Sequence, residues 1–154
     1  MTDRLLAFGT QLIETHDRLR EMLSDLRSGR HPRRDLRTHC LAFCATLTGH
    51  HEAEDGDAFP ILARDHPALA PVLDELSRDH LLIADTMTRL RTLLASDEDV
   101  GVELAGLAAL LETHLVYEER KLVDLLNALR PDAGDAARLT RATALEVNPF
   151  GLPG

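Results

Sequence analysis

LAGLAALLETHLVYEERKLVDLLNAL, residues 104–129, carries leucine at 104, 107, 111, 122, 125 and 129. Steps of three and four place these side chains on one face of an α-helix, where residues one turn apart stack. The missing steps between Leu111 and Leu122 fall on His114 and Glu118. A helix face built from leucine therefore carries an imidazole and a carboxylate at its centre.

Reading outward, the same periodicity recurs three more times. A first helix is predicted from about Thr2, as N-cap, to about Leu26, with Leu5, Phe8, Leu12, Leu19, Leu23 and Leu26 on its stripe before Ser28-Gly29 ends it. The second follows His31-Pro32 and carries Leu36, Cys40, Phe43 and Leu47. The third begins near Pro71 and gives Leu73, Leu76, Ile83, Met87, Leu90 and Leu94. The fourth is the opening stretch, entered after SDEDVG and ended by Pro131. No alternating strand pattern competes, so the fold class is all-α, and four apolar stripes that each need a facing partner make a four-helix bundle. The bundle spans residues 1–130, and 131–154 is a C-terminal extension whose tail, LEVNPFGLPG, reads as loosely packed. In FPILARDHPALAP, residues 59–71, the prolines are expected to break the helix, leaving Phe59, Ile61 and Leu62 to cap one end of the core.

Composition agrees with one soluble domain. Chains of about 150 residues bury about 70% of their unfolded surface, and this chain has 154 residues, 44% hydrophobic and 28% charged, with only 3% aromatic and no Trp. Leucine and alanine must fill the core, which favours helix over strand. The formal charge of -9 argues against nucleic acid or an anionic membrane as partner, since both demand a basic face. The basic stretch RSGRHPRR at 27–34 reads as an exposed loop. MTDRLLAFGTQLIETHDRL lacks the apolar core of a signal peptide, and no run approaches a membrane span, so a cytoplasmic location is expected. Cys40 and Cys44, one helical turn apart, read as reduced and buried small hydrophobes. No phosphate-binding glycine loop, C-x-x-C pair or serine nucleophile motif points to another chemistry.

The other stripes are interrupted as the fourth is. Continuing the second gives His50 and Glu54; His80 falls between Leu76 and Ile83; His16 falls between Leu12 and Leu19. One histidine on an apolar stripe is ordinarily a hydrogen-bonded core residue, but interruptions on all four stripes are a different matter. Burying Glu54 and Glu118 without a cation would cost several kcal/mol per ion. A metal pair removes that objection, because His-x-x-x-Glu, found in both the second and fourth helices, sets imidazole and carboxylate on one face towards a shared centre. His80 and His114 are equally distant from Asp97 in the intervening loop, so antiparallel helices bring them level. The site is expected inside the bundle, nearer the end closed by FPIL. His51 and Asp55 lie one residue off the stripe and read as groups behind the ligands or exposed; Tyr117 reads as a packing tyrosine, and His31, His39 and His66 are assigned no chemistry.

Four segments, ETHDRLREML, GHHEAEDGDAFPIL, LSRDHLLIADTM and ETHLVYEERKLVDLL, together resemble the hemerythrin-like domains with the HHE cation-binding signature, over about residues 10–130. The resemblance implies an up-down-up-down antiparallel bundle holding two non-haem irons, oxo- or hydroxo-bridged, with histidines as terminal ligands and two carboxylates bridging. Carried over by position, the ligands are His16, His50, Glu54, His80, His114 and Glu118. Two departures stand out. The oxygen carriers have a further histidine one turn after the position of His80, where this chain has Ala84, followed by Asp85. That leaves one iron a histidine short, with a position for water, substrate or another carboxylate, and argues against reversible O2 carriage. The carriers also space the last carboxylate so as to select Glu119, whereas the leucine stripe selects Glu118. The expected function is a di-iron protein that binds or reduces O2, H2O2 or NO in sensing or stress defence. A di-iron oxidase or oxygenase acting on an organic substrate, and a non-catalytic iron-binding or iron-sensing module, are the alternatives.

Overall fold

The computed structural model describes residues 7–144, all of whose regular elements are helical. The helix α1 runs Phe8–Arg27, α2 Arg33–Ala53, α3 Phe59–Asp65, α4 Ala70–Ala95, α5 Gly101–Ala128 and α6 Ala133–Thr143. The expected Thr2 cap, Leu5 and the tail LEVNPFGLPG lie outside the described residues.

Two connections differ from expectation. The prolines of FPILARDHPALAP do not break the second helix at Pro60. Instead α2 passes through a single π-helical turn, Glu54–Ala58, straight into α3. In that turn the Phe59 N–H donates to the Glu54 carbonyl, one residue further back than in an α-helix. Pro60 then falls in the first turn of α3, where a missing N–H costs little. The break comes at His66, which precedes Pro67 and adopts φ -136 and ψ 74, outside the helical region as residues before proline tend to be. The second difference is α6, a helix that periodicity did not announce within 131–154. Asp132 caps it by accepting the Asp135 N–H at 2.8 Å, and Leu139, Ala142 and Thr143 are buried.

The sense of packing follows from cross-helix bonds. Thr10 pairs with Asn127, His16 with Glu119 and Arg20 with Glu112, so α1 and α5 are antiparallel. Asp79 with His114 and Arg89 with Glu103 make α4 and α5 antiparallel too. At the start of α1 the approach is close: a Cβ on Gly9 would collide with the Val123 carbonyl. There the Thr10 N–H, an orphan donor of the first turn, is satisfied by Asn127 Oδ1 at 3.1 Å.

The apolar core forms two clusters. One, at the α4–α5 loop end, gathers Leu19, Leu23, Cys40, Phe43, Leu47, Ile83, Met87, Leu90, Leu107 and Leu111 among others. The other gathers Phe8, Leu12, Phe59, Ile61, Leu62, Leu73, Leu76, Leu122, Leu126, Leu139 and Ala142. Cys40 and Cys44 are free thiols buried in the first. On α5 the second cluster takes Leu126, while Leu125 and Leu129 only pack against it, so the leucine stripe turns as it descends.

Candidate metal centre

Between the two clusters the helices place His16, His50, His51, Glu54, His80, His114 and Glu118, each nearly inaccessible to solvent. Donor atoms fall into two sets, each within 4.8 Å: His51, Glu54, His80 and His114 in one, His16, His50, Glu54 and Glu118 in the other. Glu54 belongs to both. All six residues selected from the stripes thus converge on one layer.

His51 is the residue that stripe reading left behind. Adjacent residues on a helix point about 100° apart, so His50 and His51 serve different sets: His51 stacks on the His80 ring with centroids 3.8 Å apart, whereas the His16 ring meets His50 edge-on at 5.5 Å. His51 thus brings to the His80–His114 set an imidazole from a different helix, where Ala84 has none to offer. Asp85, exposed on α4, takes no part. The adjacent pair HH was the available signal, since a wide buried face can use both neighbours where a narrow stripe uses one.

The outer nitrogens are held by carboxylates. Nδ1 of His16 lies 2.8 Å from Glu119, Nδ1 of His80 lies 3.0 Å from Asp55, and Nδ1 of His114 lies 3.0 Å from Asp79. Asp55 also accepts from Ser77 Oγ at 2.7 Å, and Glu119 is gripped by the Arg20 guanidinium at 2.9 and 3.2 Å. Each arrangement fixes the ring and leaves Nε2 facing inward, the pattern by which metal-bound histidines are oriented. Glu119 therefore supports His16 from outside, while Glu118 points inward. Its Oε1 is 3.5 Å from His16 Nε2 and 3.6 Å from His114 Nε2. Asp79 had no signal in the sequence, being one of many acidic residues on a polar face.

The inward atoms lack partners. His80 Nε2 is 3.0 Å from Glu54 Oε1 and His50 Nε2 is 3.2 Å from Glu54 Oε2, close enough for charge attraction but not aligned as hydrogen bonds. Nε2 of His16, His50, His51, His80 and His114, and all four carboxylate oxygens of Glu54 and Glu118, are buried with no hydrogen bond. Buried polar atoms left so are costly, and their concentration in one layer is what a cation would satisfy. Nitrogen and carboxylate donors without thiolate suit a first-row metal ion.

Charge is finely divided in this layer. Burial opposes a charged His16 ring, but Glu118 and Glu119 outweigh it and raise its pKa to about 9. His80 likewise rises to about 9 against burial, through Glu54 and Asp55. Burial and the neighbouring His80 hold His51 well below its ordinary value, and burial lowers His114. Of the two inner carboxylates, Glu118 is pushed up to about 8 by burial and by Glu54. Glu54 is held down, against burial, chiefly by His50. Glu119 falls to about 2 because His16 and Arg20 overcome its partial burial.

Beside Glu54 and Glu118 the bundle leaves a cavity of about 10 Å³. It is otherwise walled by apolar side chains, among them Leu12, Phe59, Leu62 and Leu122, and by Ala142 and Thr143 of α6.

A helical protein whose core is interrupted by a buried layer of histidine and glutamate, its inward donors unpaired and three of its histidines braced from outside, is a cation-binding domain. The chain belongs to the hemerythrin family: the model of the hemerythrin HHE cation binding domain matches residues 9–126. No curated protein and no solved structure gives a significant match. Among the described residues no helix is long and apolar enough to cross a membrane.

Proposed function

We propose that the chain is a cytoplasmic non-haem di-iron protein, with α1, α2, α4 and α5 as its up-down-up-down bundle, that binds or reduces O2, H2O2 or NO in sensing or stress defence. The observation that carries this reading is the pair of donor sets meeting at Glu54. His51, His80 and His114 would hold one iron, His16 and His50 the other, with Glu54 common to both and Glu118 completing the layer. Each set offers four residues, and the one that includes Glu118 borders the cavity and is the side at which a ligand binds. Ferrous iron bound there would supply electrons to an oxidising small molecule. The chain's own contribution is to hold neutral Nε2 donors in place through Glu119, Asp55 and Asp79, to exclude water, and to limit ligand size. The smallness of the cavity beside the carboxylates disfavours a bulky organic substrate.

Metal analysis after anaerobic loading with ferrous iron is expected to find about two irons per chain, one for each donor set. Admission of NO, or of O2, to the loaded protein is expected to change its visible absorbance. A stoichiometry of one or none, or a preference for zinc over iron, would overturn the di-iron reading.

A further inference from the structure

The cavity beside Glu54 and Glu118 holds about 10 Å³, at the threshold of roughly 10–15 Å³ needed for a single water. A ligand of two or more heavy atoms therefore reaches the carboxylates only if a wall yields. The walls differ in how they are held. Leu12 on α1, Leu62 on α3 and Leu122 on α5 belong to helices locked by several large core side chains each. The α6 wall, Ala142 and Thr143, belongs to a helix that gives the core only Leu139 and Ala142 as fully buried apolar groups.

The rest of the attachment of α6 is polar, part of it reached by solvent and part buried. Arg138 and Arg141 both reach Asp57, at 3.4 and 3.2 Å, and Arg138 also donates to the Gly56 carbonyl at 3.2 Å. Arg64 of α3 holds Asp135 at 2.7 Å. Inside, Thr15 Oγ1 donates to the Thr143 carbonyl at 2.7 Å, and the Thr143 hydroxyl lies 3.1 Å from Gln11 Oε1. Asp57 and Gly56 lie in the π turn that begins with Glu54, so the clamp joins the movable wall to the turn that presents the shared carboxylate. Exposed ion pairs are weak. The clamp joins half-exposed Asp57 and Arg138 and exposed Arg141, so it contributes little to the stability of the bundle.

We propose that α6 is the gate of the ligand cavity: Ala142 and Thr143 set the size of ligand admitted, and the Asp57–Arg138–Arg141 clamp sets how fast it enters. The proposal rests on the metal-site reading above.

Two variants test it in the full chain: Asp57→Ala, which releases the clamp at the surface, and Ala142→Leu, which fills the cavity from the α6 side. Both are expected to keep the iron content of the parent, since neither residue belongs to a donor set. With NO as probe of the ferrous protein, Asp57→Ala is expected to bind about two- to fivefold faster, the scale of losing exposed ion pairs. Ala142→Leu is expected to bind at least about tenfold slower, since a close-packed wall admits no added side chain without displacement. Ethyl isocyanide, a bulkier ligand for ferrous iron, should enter Asp57→Ala faster than the parent by a larger factor than NO does. An independent readout needs no iron: in metal-free protein, Asp57→Ala should speed amide hydrogen exchange across residues 136–143 while leaving α5 unchanged. If the parent binds no iron or gives no NO response, the metal reading fails. If the parent binds both while Asp57→Ala leaves NO binding and α6 exchange unchanged, the gate is overturned and the metal reading stands. Should Ala142→Leu fail to fold, Asp57→Ala decides alone.

Discussion

Glu54 and Glu118 lie in the same layer and differ in charge state, and the difference makes them separable by substitution. Glu54 is held ionised by the histidines on both sides, chiefly His50, whereas Glu118 is pushed towards its neutral form. Replacing Glu54 by Ala removes the donor common to both sets and is expected to abolish iron binding, measured as metal per chain after gel filtration. Replacing Glu118 by Leu is expected to weaken or lose iron yet leave a folded protein. It fills the α5 stripe between His114 and Leu122 and removes a buried carboxyl group. Its metal-free form should melt higher than the metal-free parent; about 1 kcal/mol corresponds to about 2–4 °C for a chain of this size. Retention of two irons by Glu118→Leu, with loss on Glu119→Ala, would place the ligand at Glu119 instead. His51→Ala should cost one iron of the two, because the His80–His114 set loses a third of its imidazoles. Asp79→Asn, which only weakens the brace on His114 Nδ1, should reduce affinity about 10–100-fold.

The helices explain which of these residues could be read in advance. His16, His80, His114 and Glu118 sit on unbroken α-helices, where steps of three and four carry the stripe through the site. Those positions were legible because the periodicity of the helix is also the periodicity of its burial. His51 escaped because stripe reading admits one inward residue per turn, whereas α2 buries His50 and His51 together. Among the prolines of FPILARDHPALAP the expected break falls at His66-Pro67 and not at Pro60, because the π turn ahead of Pro60 places it in a first turn where its missing N–H is tolerated. The helix α6 left only a short amphipathic signal, and its role at the cavity depends on long-range contacts that no local pattern encodes. Two element-scale outcomes follow. Deleting Gly56, an exposed residue of the π turn, should convert the turn to α geometry, with the Phe59 N–H still donating to the Glu54 carbonyl, and so keep Phe59, Ile61 and Leu62 on the core; a folded helical protein by circular dichroism is the expected result. Gly9→Ala should lower the melting midpoint, by overpacking of about 1–3 kcal/mol, because the new methyl meets the Val123 carbonyl.

For the molecule as a whole, protons and iron compete. In metal-free protein near neutral pH, His16 and His80, at about 9, and Glu118, at about 8, each carry a proton. Iron must expel all three, so loading should release protons and tighten as pH rises towards about 9, and weaken in mild acid. The same raised values act on the metal-free fold in the opposite sense. The stability they contribute is present below the unfolded values and is lost as pH rises through 8 to 9. Calorimetry of the loaded and metal-free forms at pH 6 and pH 9 should therefore show the gap between them widening with pH. The two apolar clusters add a further consequence. They share helix backbones but form separate clusters, parted by a layer whose inward polar atoms lack hydrogen bonds. A cation there works as a rivet through two stacked blocks. With it in place the blocks should melt as one, the calorimetric and van't Hoff enthalpies agreeing. Once a chelator has drawn the rivet, the block floored by Phe59 and Leu62 and the block around Phe43 and Met87 should come apart in separate steps.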